Sequence, residues 1–65
     1  MRENLDKMIG RSITVHFKRR IRKIGRKTEC ALNAYDDLGL VLTYYPKKNG
    51  SKIINIPWDL ILYIN

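Results

Sequence analysis

A chain of 65 residues is the size of one small domain, and a hydrophobic core that small is marginal unless a disulfide, a metal or self-association supplements it. One cysteine and one histidine exclude an intramolecular disulfide and an internal Cys/His zinc site, which leaves association with further copies as the stabiliser. The net charge of +7 points to polyanionic partners. No apolar run approaches the roughly 20 residues of a membrane span.

In chain order, Arg2 to Ile9 carries Leu5, Met8 and Ile9 at helical spacing and stops at Gly10, which predicts a short N-terminal helix. This segment lacks the apolar stretch of a signal peptide, and a lone cysteine suits a reducing compartment, so a cytoplasmic location is expected. From Ser12 to Phe17, Ile13, Val15 and Phe17 alternate with Thr14 and His16, the period of a half-buried strand that extends through Ile21. Ile24-Gly25 offers a turn, and Thr28 to Tyr35 is a second strand.

The same hairpin holds seven basic residues in ten: Lys18, Arg19, Arg20, Arg22, Lys23, Arg26 and Lys27, with no acid between Asp6 and Glu29. Such a block binds phosphates by releasing counterions, with affinity that tolerates sequence and falls with salt. Alternatively it is a solvated tip that keeps the protein soluble.

Asp36-Asp37-Leu38-Gly39 is a turn, Leu40 to Tyr45 a third strand and Pro46 to Gly50 a loop containing Asn49-Gly50. Lys52 to Ile56 and Leu60 to Asn65 are the last strands, divided by Pro57-Trp58-Asp59. One helix and five short strands are too few for a sandwich; the pattern predicts a mainly β, strongly bent antiparallel sheet, a partly open barrel. It occupies residues 12–65 after a helical segment over 1–10, one domain in all. Ile53, Ile54 and Ile56, then Leu60, Ile61, Leu62 and Ile64, are apolar at both parities, so these strands need cover on both faces or along their edges.

Two segments make a recognisable pair: Cys30-Ala-Leu-Asn-Ala-Tyr-Asp-Asp-Leu-Gly-Leu-Val-Leu42 and Ile56-Pro-Trp-Asp-Leu-Ile-Leu-Tyr-Ile64. In order and placement they resemble the two motifs of the Sm-like (LSm) proteins, from about Leu5 to the C-terminus. The resemblance implies an SH3-like open barrel whose fourth strand pairs with the fifth strand of the next copy, closing a ring. It also implies that the loops after the second and fourth strands line a pore and hold single-stranded RNA. Tyr35 and Asp36 match the family's aromatic and Asp. The turn Asp37-Leu38-Gly39 is one residue short, and Gly39 stands where the base-reading Asn is usual. Pro57-Trp58, followed by Asp59, replaces Arg-Gly; Trp58 offers a flat face in place of the lost guanidinium. Cys30 takes the place of a Gly.

Each of these residues has a plainer reading. Tyr35 and Asp36 can be core and turn cap, Trp58 an interface anchor, His16 an exposed strand residue and Cys30 a small buried hydrophobe. Asp36 and Asp37 are adjacent in a turn, with no His or second acidic cluster near them, so no enzyme, cofactor or small-molecule substrate is expected. Three functions follow: an Sm-like ring binding RNA through the basic hairpin and the pore loops with reduced base specificity, a structural or protein-interaction ring, or a small basic barrel binding DNA.

Overall fold

The computed structural model describes residues 2–46 and 50–65. Helix α1 (Arg2–Met8) is followed by strands β1 (Ser12–Ile21), β2 (Gly25–Tyr35), β3 (Gly39–Tyr44) and β4 (Lys52–Pro57), a short 3-10 turn (Trp58–Leu60) and β5 (Ile61–Ile64). The architecture is the expected one, mainly β with a short N-terminal helix and one five-stranded antiparallel sheet. Its order is β4-β3-β2-β1-β5, and the sheet does not close on itself. The loop expected over Pro46 to Gly50 falls partly on residues 47–49, outside the described residues. No helix is long and apolar enough to cross a membrane among the described residues.

The alternation read from the sequence sets the inner face of β1, where Ile13, Val15 and Phe17 are buried and Thr14 and His16 are half-buried on the other side. Cys30 and Leu32 of β2, Leu40 and Leu42 of β3, Ile56 of β4 and Ile61 complete the buried cluster. Helix α1 contributes Leu5, 1% exposed. The helix ends on the sheet: Gly10, at φ +83°, donates its N–H to the Leu32 carbonyl at 2.8 Å, and Leu32 N–H reaches the Arg11 carbonyl at 3.3 Å. A positive φ is the usual glycine exit from a helix.

Extra residues in the ladders account for the bend. Between the pairs His16↔Lys27 and Ile21↔Gly25, β1 has four residues and β2 has one. Asn33 is extra on β2 between Leu32↔Leu42 and Ala34↔Val41, and Leu62 is extra on β5 between His16↔Tyr63 and Phe17↔Ile61. The bulge at Asn33 shifts the parity of β2, so Tyr35, opposite Leu40, packs against the core while Ala34 is exposed.

Element ends differ from the sequence expectation by a few residues. β2 begins at Gly25 rather than Thr28, because the reversal falls earlier: Lys23 takes φ +69° and Ile24 N–H bonds the Ile21 carbonyl at 3.1 Å. β5 begins at Ile61 rather than Leu60, because Trp58–Leu60 form a 3-10 turn.

Cys30 is a buried strand hydrophobe, and loss of hydration pushes its thiol from 9.0 up to about 11. Between these values the unfolded chain loses the thiol proton while the native chain keeps it, so this residue's contribution to stability is intact below pH 9 and is lost as pH rises toward 11. Urea unfolding of wild type and Cys30→Ala should show a stability difference that is constant below about pH 9 and moves against wild type above it. A difference independent of pH from 8 to 11 would contradict this.

Candidate nucleic-acid interface

The residues expected to bind nucleic acid lie at the two ends of β2. At one end, Lys18, Arg19, Arg20, Arg22, Lys23, Arg26 and Lys27 are all exposed. Lys18, Arg19 and Arg20 lie in the irregular part of β1, where strict alternation ends and three consecutive cations face solvent. The end of the hairpin is thus a dense positive projection, a surface that raises local concentrations of a polyanion.

At the other end the two sequence motifs meet. Asp36 Oδ1 accepts N–H bonds from Leu38 at 2.8 Å and Gly39 at 3.1 Å, an Asx turn that caps the β2–β3 reversal. The Trp58 indole N–H donates to the Asp36 carbonyl at 2.9 Å, and the Trp58 backbone N–H donates to the Leu38 carbonyl at 3.1 Å. Trp58, half-buried against the core, therefore latches the β4–β5 connection onto the β2–β3 turn. Beside the latch is a groove of about 290 Å³ walled by Asp36, Leu38, Gly39, Val41, Asn55 and Pro57. Leu38, 80% exposed, is the apolar side chain at the tip. Asp37 and Asp59 are exposed.

Tyr35 lies inward rather than on the turn. Its ring packs on the core and its hydroxyl donates to Asp6 Oδ1 of α1 at 2.5 Å, tying the helix to the end of β2. This is the plainer of the two readings open to it, as turn capping is for Asp36.

Gly39 has a backbone reason to be glycine. It pairs with Pro57, and a Cβ at this position would lie 2.0 Å from the Ile56 carbonyl oxygen and 2.7 Å from the Pro57 Cα. Neither is the end of a flexible side chain. An asparagine here is incompatible with the β3–β4 ladder as it stands.

Sequence reasoning passed over a third group on the sheet's outer face. His16 stacks on Tyr63 of β5, ring centroids 4.0 Å apart and planes 13° from parallel, and its Nε2 lies 3.2 Å from Asn65 Nδ2. The Thr14/His16 alternation marked this face as outward, but nothing local to His16 identifies a partner 47 residues later. Among the described residues no three His, Cys, Asp or Glu side chains converge on a potential metal site. Comparison of the chain with protein-family models, curated proteins and solved structures finds no match.

Because the obstruction at residue 39 is main chain, Gly39→Ala should destabilise the fold by about 2 kcal/mol or more, the scale of overpacking in a rigid setting, and Gly39→Asn at least as much. Thermal unfolding measures this; a variant melting within a degree of wild type would mean that the strands separate freely.

Proposed function

We propose that this chain is a divergent Sm-like domain that binds single-stranded RNA, chiefly through backbone charge, and assembles edge to edge into a closed ring. The observation that carries the RNA reading is the clustering of seven exposed cations on one hairpin. Phosphate neutralisation by such a cluster is indifferent to base identity. The Gly39 contact supports a reading with reduced base specificity: an asparagine does not fit there, and Pro57 supplies no guanidinium.

Support for assembly comes from the strand order. β4 and β5 are the outermost strands, and they carry Ile53, 70% exposed, and Leu62, 55% exposed, with Tyr63 beside it. A free edge rimmed with apolar side chains favours strand pairing with another chain. A head-to-tail contact of unlike edges repeats until it closes into a ring or grows as a fibre. A ring without RNA recognition is the second reading, favoured by the internal engagement of Tyr35, Asp36 and Trp58, the residues that would otherwise present themselves to bases.

Reversal of Arg20, Arg22 and Lys23 to Glu should weaken binding of oligo-U and oligo-A alike. Each phosphate contact on a single strand contributes about 0.7 to the logarithmic salt slope, so the triple variant should lower that slope by about 2. Unchanged affinity and slope would reduce the hairpin to a solubilising surface. Wild type should distinguish oligo-U from oligo-A by less than about a hundredfold, since edge-reading contacts are worth about 1 to 3 kcal/mol each and positions 39 and 57 supply none; a larger preference would overturn this.

Wild type should sediment as a closed oligomer at micromolar concentration. Ile53→Lys, at an exposed edge position, should yield folded smaller species, whereas Ile54→Lys, which packs against the core, should lose folded protein altogether. A folded wild-type monomer would end the ring reading.

A further inference from the structure

We propose a base-stacking site on the outer face of the sheet, between the exposed Tyr45 ring and the imidazole of His16, that takes one nucleobase of a single strand whose phosphates follow the basic hairpin. The inference rests on the RNA reading above and names a contact surface separate from both ends of β2.

Its geometry comes from the strand registers. Across the middle of the sheet, Lys27 of β2, His16 of β1 and Tyr63 of β5 form one row, since His16 pairs with both of the others. The adjacent row holds Glu29 and Thr14, which pair with each other, and Asn65, whose backbone exchanges N–H···O bonds with Thr14 at 2.9 and 3.3 Å. One residue beyond the Cys30↔Tyr44 pair, Tyr45 comes beside Glu29. Thr14, His16, Lys27, Thr28, Glu29, Tyr45 and Asn65 wall a groove of about 470 Å³. A second groove of about 380 Å³ shares Thr28 and Tyr45 with it and runs to Lys23 on the hairpin.

The chemistry of the walls selects the occupant. Tyr45 is 66% exposed, a large apolar ring standing at the surface with little of it buried. The His16 ring is already fixed, by Tyr63 stacked on it and by Asn65 at its Nε2, while Tyr63 itself is not among the residues that wall the groove. One ring is thus pre-oriented, so little rotamer entropy is lost when a base arrives. Glu29 in the centre repels a phosphate, whereas Lys27 and Lys23 attract one at the hairpin side. A planar base over the centre with its phosphate toward the lysines satisfies both. Aromatic side chains on a sheet surface, flanked by cations, are a general means of holding unstacked bases.

The test is photo-crosslinking of the full chain to a 5-bromouridine-substituted oligonucleotide, with peptide mapping, alongside binding by Tyr45→Ala and His16→Ala. Both substitutions are on the outer face, and thermal unfolding checks that the fold is retained. Crosslinks should map to Tyr45 or His16, and each variant should weaken binding by about tenfold, the effect of removing one stacking partner, with the salt slope unchanged. That unchanged slope separates loss of stacking from loss of charge. Crosslinks confined to the hairpin, Leu38 or Trp58, with Tyr45→Ala binding within twofold of wild type, would overturn this site while leaving RNA binding by the hairpin in place. A wild type that binds no oligonucleotide would overturn both.

Discussion

A β-strand carries main-chain hydrogen-bonding groups along both sides, and in this sheet β4 and β5 pair with a neighbouring strand on one side only. Much of the rest follows from that constraint. The core is a single layer of side chains folded under a bent sheet with Leu5 of the helix against it, and it is at the lower limit of what sustains a domain. Making the sheet longer would enlarge the core but leave two edges. Bulges at Asn33 and Leu62 and the long irregularity of β1 curl the sheet without bringing β4 and β5 together. The apolar side chains at Ile53 and Leu62 are a cost to an isolated chain and an asset to an assembled one.

The close approach of β3 and β4 at Gly39 couples this architecture to the β2–β3 turn. The Ile56 carbonyl occupies the space where a side chain at 39 would begin, so the ladder that carries β4 out to the edge removes a polar side chain from the turn. Trp58 then uses its indole N–H to hold that turn shut against Asp36. A donor committed to a backbone carbonyl is a poor reader of base edges, and the latch consequently serves the fold first. What remains outward-facing is charge on the hairpin, aromatic surface on the sheet and the exposed Leu38.

Much of the fold was legible in the sequence because its signals are local. The alternation of Ile13, Val15 and Phe17, the Asx turn at Asp36 and the Gly10 stop each specify their element within a few residues. The bulges were not legible, since an extra residue in a period-two pattern resembles ordinary noise; without the one at Asn33, Tyr35 would be assigned to the wrong face. The separation of the cations from the Asp36 turn by the length of β2, roughly 30 Å of extended chain, was legible, because the two segments flank one predicted strand. The contact of the β4–β5 connection with the β2–β3 turn through Trp58 was not legible, since it depends on the fold bringing together residues 22 positions apart. The His16–Tyr63 stack was hidden for the same reason, because it depends on β1 pairing with the last strand.

On the proposed reading, charge and stacking without edge reading give modest binding per subunit. A few exposed cations, screened over about 8 Å at physiological ionic strength, and one or two aromatic faces cannot match a set of bidentate contacts. Repetition offsets this. If copies join β4 to β5 as proposed, each brings the same hairpin and the same outer face at fixed spacing, and a strand held by one subunit is presented to the next at high effective concentration. Edge pairing would then answer two deficits at once, a core too small to be comfortable alone and a recognition surface too weak to act alone. On the proposed reading the physical link between them is Gly39, where the β3–β4 ladder that leads to the edge also leaves no room for a polar side chain on the turn.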